Sequence, residues 1–414
     1  MKKKLIALLA ALTVIAGVIF VLNREAPEPQ DLSGWSEEDG IRRYLDVDGT
    51  PLTGWQDIEG SRYYFGEDGV MATGWVEDGG SRFYLGDSGA VRTGWQTVDG
   101  NTYYLTNSGV TTGWMSYSGE EYYFTDQGVM VTGWTDIDGT TRYFHGNGTL
   151  AQGWTELNGI NYYFREGLFL TGGWQDIGDS RYYFNEDGTL YTGWLEEDGN
   201  SYYLTADGTM AVGPTEIDGS TYYFSPHGVH VILVNPWNYL PEDYTVKLKT
   251  VTSWYQVSTE CYDALIQMLA DCKAAGYDPD VRSAYRSQAT QADLYENKIK
   301  RVMKADSTLT EEEAAKIAAT VVAIPGTSEH QLGLAVDLVD GVYRELTEEQ
   351  EQTETQQWLM EHCWEYGFIL RYPNDKSDIT GIIYEPWHYR YVGVEIAMEM
   401  RDSGQCLEEY LGAA

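Results

Sequence analysis

Two short runs concentrate the side chains able to do chemistry. One is Ser328-Glu329-His330-Gln331-Leu332-Gly333-Leu334-Ala335-Val336-Asp337, the other Glu385-Pro386-Trp387-His388. Only six histidines occur in 414 residues, and two of them stand in these runs. Two imidazoles and a carboxylate form a hydrolytic zinc set, in which three protein ligands leave one position for water. His330, Asp337 and His388 supply that set. Glu385, three residues before His388, is near enough to reach the water rather than the metal. A carboxylate so placed can take the proton as water attacks.

These groups must be brought together by the elements that carry them. Short apolar strands are predicted at 335–339, 367–371 and 388–392. Helical spacing appears at 260–275, 290–304, 311–323 and 353–366. Thr310 and Glu313 form a capping-box pattern ahead of the third of these helices. Strands and helices do not alternate regularly, which favours an α+β fold over a doubly wound sheet. Residues 235–244 read as a proline-bearing connector.

The two runs, with Ser283-Ala284-Tyr285-Arg286-Ser287 upstream of them, resemble the zinc D-alanyl-D-alanine carboxypeptidases of the vancomycin-resistance type and their L,D-carboxypeptidase relatives. The resemblance covers essentially all of 235–414. It implies Zn2+ held by His330, Asp337 and His388, with Glu385 as general base and then proton donor. It also implies that Arg286 faces the scissile carbonyl or the substrate's terminal carboxylate, since a permanent guanidinium suits either anion. Tyr285, Ser287, Gln291 and Ser328 become candidate substrate contacts, with helix surface or an N-cap as the competing role for Ser287 and Gln291. Trp387 and Gly333 read as packing and backbone-geometry residues. His145, His227, His230 and His362 need only surface or packing roles.

Ahead of this region the chain repeats itself. Gly-Trp recurs at Trp35, Trp55, Trp75, Trp95, Trp114, Trp134, Trp154, Trp174 and Trp194, every 20 residues and once after 19, and a tenth copy starts at Gly213-Pro214. A fixed period of this length means stacked supersecondary units. Within one copy, 55–58 reads as a strand, Glu59-Gly60 as a two-residue turn and 61–65 as the aromatic return strand. The fold class is therefore multidomain: a β-hairpin solenoid array followed by an α+β zinc peptidase domain. Acidic turns such as Asp46-Val47-Asp48-Gly49 lack the distal glutamate of a calcium loop and need no metal.

The repeats resemble the cell-wall-binding repeats of Gram-positive surface proteins, which include choline-binding and glucan-binding modules. Choline-binding members cage a quaternary ammonium with three aromatics. One of these normally precedes the Tyr-Tyr pair. That place here holds Arg62, Arg82, Thr102, Glu121, Thr141, Asn161, Arg181, Ser201 and Thr221. A wall polysaccharide or teichoic acid is accordingly ranked ahead of choline as ligand, with an array of weak sites gaining from multivalency.

The remaining features bound the setting. Lys2, Lys3 and Lys4 precede an apolar run from Leu5 to Leu22 broken only by Thr13. At ~1.5 Å per residue it spans about 27 Å, close to a bilayer core, and no small-x-small cleavage site follows. The reading is an uncleaved signal anchor over a cleaved peptide at 1–24, then a stiff linker at 25–30, repeats at 31–230 and the peptidase-like domain at 231–414. A formal charge of −37 makes nucleic acid a poor partner. Four cysteines are too few for a disulfide scaffold. Cys261 and Cys272 lie about 16 Å apart on one helix and cannot join. A bond between an early and a late cysteine stays open.

The leading expectation is an exported zinc peptidase that removes the C-terminal D-alanine from peptidoglycan stem peptides while the repeats hold it on the wall. The alternatives are an L,D-carboxypeptidase, a cross-bridge endopeptidase and an inactive wall-binding protein.

Overall fold

The computed structural model describes residues 30–241 and 244–414. The expected N-terminal anchor and most of the linker lie outside them. Among the described residues no helix is long and apolar enough to cross a membrane. The chain divides into two compact units, Met1–Leu170 and Thr171–Ala414. The second unit thus takes in the last three hairpins together with the peptidase-like region, whereas the repeat period alone places a boundary after residue 230.

In both units each repeat is an antiparallel hairpin. Gly54–Ile58 pairs with Ser61–Phe65, with Trp55 opposite Tyr64 and Gly54 opposite Phe65. At the corner both Glu59 and Gly60 have positive φ, 51° and 80°. This is the type I′ geometry whose twist matches the strands, so the acid at the first corner position tolerates a left-handed backbone as well as the glycine. One hairpin cannot bury its aromatic face alone. The Trp of one copy packs on the return strand of the next, as Trp55 does on Phe83 at 4.6 Å and Trp75 on Tyr103 at 4.9 Å. Phe65, Phe124, Phe144, Phe184 and Phe224 are wholly buried. The connecting segments add backbone ties, such as Met71 N–H to Arg42 O and Val91 N–H to Arg62 O. In the acidic corner at 46–49, the Asp46 carboxylate accepts from the Asp48 and Thr50 amides.

The peptidase-like region is built on a four-stranded antiparallel sheet. Its order is Pro279–Ser283, Ala335–Asp340, His388–Tyr391, Phe368–Leu370. The first strand was not anticipated from the sequence, because it is short and opens on a proline at the sheet edge. Helix Thr259–Ala274 packs against the sheet through Cys261, Leu265, Met268 and Cys272, all fully buried. Helices Gln288–Ala305 and Glu311–Ala319 pack on each other, and Thr310 closes the expected capping box with Glu313. The third predicted helix stops at Ala319, short of 323. The fourth is Glu354–His362, continuing as a 3₁₀ turn, Cys363–Tyr366, that ends at Gly367. All four cysteines are free and buried, so no early–late bond is formed.

The last repeat is tied to this region by a second core. Val231 and Leu233 pack with Ile396, Met400, Leu407 and Leu411. His227 Nε2 lies 2.6 Å from Glu399 Oε1, so a histidine expected to be plain joins the repeat to helix Val394–Ser403.

Candidate active site

Sheet register assembles the site. Asp337 lies in the inner strand, with Ser283 across from it on one side and His388 on the other. His330 comes from the 3₁₀ turn Glu329–Leu332 just ahead of that strand. The turn is ended by Gly333 at φ +73°, where a Cβ would stand 3.1 Å from the Ser258 amide nitrogen. A glycine is needed there on both counts. The reversal it permits returns His330 to the side of Asp337, seven residues on. Glu385 opens the turn Glu385-Pro386-Trp387-His388, closed by the His388 amide donating to Glu385 O at 3.2 Å.

The three candidate ligands converge. Asp337 Oδ1 is 3.4 Å from His330 Nε2 and 3.1 Å from His388 Nδ1. One donor atom from each residue falls within 4.8 Å of the others, and all three residues are buried. Donors at about 2.0–2.2 Å around a tetrahedral ion stand about 3.3–3.6 Å apart, so the set has the spacing, charge and N/O chemistry of a zinc site. His330 Nδ1 is 2.8 Å from Ala284 O. A carbonyl only accepts, so Nδ1 carries the proton and Nε2 is the free donor.

Charge is arranged accordingly. Burial pushes His330 down to about 4, keeping the ring neutral. His388 is equally buried, yet Asp337 and Glu329 together outweigh burial and raise it to about 9. A metal ion bound there would take the place of that proton. Burial raises the Glu385 carboxyl to about 8, and its Oε2 is 3.8 Å from His388 Nδ1.

Arg286 faces inward, but much of it is already committed. It donates from Nη2 to Asp337 Oδ2 at 3.1 Å and from Nε and Nη2 to Ser283 Oγ at 3.0 and 2.7 Å. One oxygen of Asp337 therefore serves the histidines and the other the arginine. Arg286, Ser328, Glu385 and Trp387 line a cavity of about 280 Å³ over the three ligands. The other expected contacts divide. Tyr285 lines a neighbouring cavity that shares Arg286. Ser287 is the N-cap of helix Gln288–Ala305, accepting from the Thr290 amide. Gln291 is buried; it donates to Ala323 O at 2.7 Å and faces Arg286 at 3.5 Å.

One residue had no role assigned from sequence. Glu329 is fully buried, and its Oε1 accepts from Arg371 Nε at 2.8 Å and Arg390 Nη1 at 2.9 Å. Its Oε2 faces His388 Nε2. Burial opposes its charge, but the two arginines outweigh that and hold the carboxyl well below the usual range. Arg371 also pairs with Glu408, which accepts from Asn235 at 3.0 Å. Glu329 adjoins His330 in sequence, but only the fold reveals that it serves the other histidine.

Both parts of the chain are similar to known proteins. Residues 255–394 match the VanY D-alanyl-D-alanine carboxypeptidase family. Residues 52–93, 111–152 and 170–214 match a choline-binding repeat, and 93–110 a putative cell wall binding repeat. A D-alanyl-D-alanine carboxypeptidase of Enterococcus faecalis is 40% identical over 182 residues, covering 44% of this chain. The chain spans 65% of that relative's length, a little under two thirds. A bifunctional D-Ala-D-Ala dipeptidase and carboxypeptidase of Enterococcus gallinarum, VanXYC, is 36% identical over 145 residues, 33% of this chain and 70% of the relative. A solved mutant of the vancomycin-resistance D,D-pentapeptidase VanY in complex with Zn(II) is 40% identical, covering 44% of this chain and 97% of that one, with a TM-score of 0.40. The chain thus belongs to the VanY D-alanyl-D-alanine carboxypeptidase family, with choline-binding-type repeats ahead of its peptidase domain.

Proposed function

We propose that this chain is a zinc-dependent carboxypeptidase that removes the C-terminal D-alanine from peptidoglycan stem peptides, held at the wall by its repeats. The observation that carries the reading is the convergence of His330, Asp337 and His388 beneath a cavity that also contains Glu385 and Arg286. His330 Nε2, Asp337 Oδ1 and His388 Nδ1 would hold the metal. When bound in such a site, zinc lowers the pKa of water to about 7 and polarises a carbonyl.

The chain's own groups do the rest. Burial alone holds the Glu385 carboxyl at about 8; the charge of a bound cation would lower it, and the carboxylate would then take a proton from the attacking water. It then delivers that proton to the amine of the departing D-alanine. The water oxygen bonds to the scissile carbon, the C–N bond breaks, and the products are a shortened peptide and free D-alanine. Arg286 presents fixed positive charge to the oxygen that becomes negative during attack. Its bonds to Ser283 and Asp337 hold that charge in place without reorganisation.

The repeats favour a wall polysaccharide or teichoic acid over choline. Arg42, Arg62, Arg82 and Arg181, each just before the aromatic pair or its equivalent, lie over Trp35, Trp55, Trp75 and Trp174 with the guanidinium carbon 3.8–5.3 Å from the ring centroid. A cation of the chain itself covers each of these rings. The apolar run 5–22 behind Lys2, Lys3 and Lys4 supports a membrane anchor with residues 25–414 outside.

Two variants test the catalytic assignment. His330→Ala should lose metal and turnover together. Glu385→Gln should retain zinc while turnover falls at least about 100-fold. Full zinc occupancy in the first, or undiminished hydrolysis by the second, would overturn the corresponding role.

A further inference from the structure

The rim of the catalytic cavity carries charge that the reaction itself does not use. The cavity's acids, Glu329, Asp337 and Glu385, all sit on its buried floor around the ligand set. Besides Arg286, its cations are Lys298 and Arg301. Both belong to helix Gln288–Ala305. Gln291, Leu294, Lys298 and Arg301 recur at helical spacing and so share one face. The helix's one ion pair among the described residues, Lys300 with Glu296, uses a different face. Neither Lys298 nor Arg301 forms an ion pair among the described residues. In a chain of net charge −37, two unneutralised cations at the mouth of a reactive cavity call for an anion.

The helix also sets their distance from the chemistry. Gln291 is at the inner end, 3.5 Å from Arg286. At ~1.5 Å per residue, Lys298 lies about 10 Å and Arg301 about 15 Å farther along the axis. An extended peptide advances about 3.3 Å per residue, and both side chains are long. For a peptide running along this helix, their ammonium and guanidinium groups fall beside residues roughly two to four places before the scissile bond.

We propose that Lys298 and Arg301 read a free carboxylate on the acyl side of the substrate, so that the enzyme prefers acidic stem peptides to those in which that carboxylate is a carboxamide. This rests on the carboxypeptidase reading of the site and specifies its substrate class. The pair selects among peptides sharing one C-terminus, and takes no part in bond cleavage.

The test uses the full chain loaded with zinc and two pentapeptides ending in D-alanyl-D-alanine, identical except for carboxylate or carboxamide at the second residue. A short acyl-D-alanyl-D-alanine serves as reference. At low salt the wild type should show a kcat/KM ratio of about 3–10 in favour of the carboxylate, the size expected of two partly solvated ion pairs. The ratio should shrink as salt rises and fall towards one in the double variant Lys298→Gln/Arg301→Gln, with the change in KM. An equal rate on both pentapeptides by the wild type, or a ratio that survives the double variant, would overturn the inference. If the wild type releases no D-alanine even from the short reference, the carboxypeptidase reading falls and this inference with it.

Discussion

Oε2 of Glu329 lies 3.5 Å from Nε2 of His388, and neither buried atom has a hydrogen-bond partner among the described residues. His388 turns its Nδ1 to Asp337, so the Glu329 carboxylate stands behind the ring, on the side away from the candidate metal. Such a carboxylate fixes the tautomer and ring orientation of a metal-binding histidine and raises its basicity. Glu329→Gln should therefore weaken zinc binding about 10–100-fold in chelator competition. Glu408→Gln removes another buried carboxylate from Arg371 without touching His388, and should lower thermal stability while leaving zinc affinity near wild type. Equal zinc affinity in Glu329→Gln and wild type would remove Glu329 from the metal site.

A second prediction concerns the last repeat. His230 occupies the place of Met71, Met130 and Met210 in other copies, each bridging to the last aromatic or leucine of a return strand. Its ring packs against Trp194, Tyr222 and Phe224. Burial lowers its pKa to about 4 against the influence of Glu196. The unfolded chain takes up this proton below about 6.5 and the folded chain only near 4. Stability should be whole above pH 6.5 and decline towards pH 4, by up to about 3 kcal/mol. Melting curves of wild type and His230→Met should therefore draw apart in the variant's favour as pH falls from 7 to 4. A constant difference across that range would contradict the buried neutral ring.

The arginines over the tryptophans make a third prediction. Trp55 and Trp75 already hold Arg62 and Arg82 over their faces at 4.4 and 3.8 Å. Binding of free choline should be weak or absent at these copies, and Arg62→Ala with Arg82→Ala should increase it. The check is titration calorimetry with choline on wild type and double variant. Tight choline binding by the wild type, undisturbed by the substitutions, would contradict the covered-ring account.

Much of this was legible beforehand because it is periodic or local. The ten hairpins follow from the spacing of Gly-Trp, with Gly213-Pro214 in the last copy, and from glycine-bearing two-residue corners, and the capping box at Thr310 and Glu313 is written in four residues. His330, Asp337, Glu385 and His388 stand out as candidates because their runs are compact, and the fold brings the first, second and fourth together. What sequence did not reveal is relational. Nothing local shows that Glu329 faces His388, 59 residues away, since that depends on the order of strands in the sheet. Arg371 and Arg390, which hold Glu329 in place, read as ordinary strand residues until their burial is known. Ser287 and Gln291 fit either a substrate or a helix terminus from sequence, and the fold engages them in capping and in bonds to Ala323 and Arg286.

The site formed by His330, Asp337, His388 and Glu385 is proposed to release a terminal D-alanine. Mass spectrometry of the products from pentapeptide and tetrapeptide muropeptides, with zinc and with chelator, tests it most directly. The expected result is loss of one alanine from the pentapeptide, abolished by chelator, with the tetrapeptide intact. Loss from the tetrapeptide alone would mean L,D-cleavage instead. An intact pentapeptide in the presence of bound zinc would rule out the proposed D,D-carboxypeptidase activity.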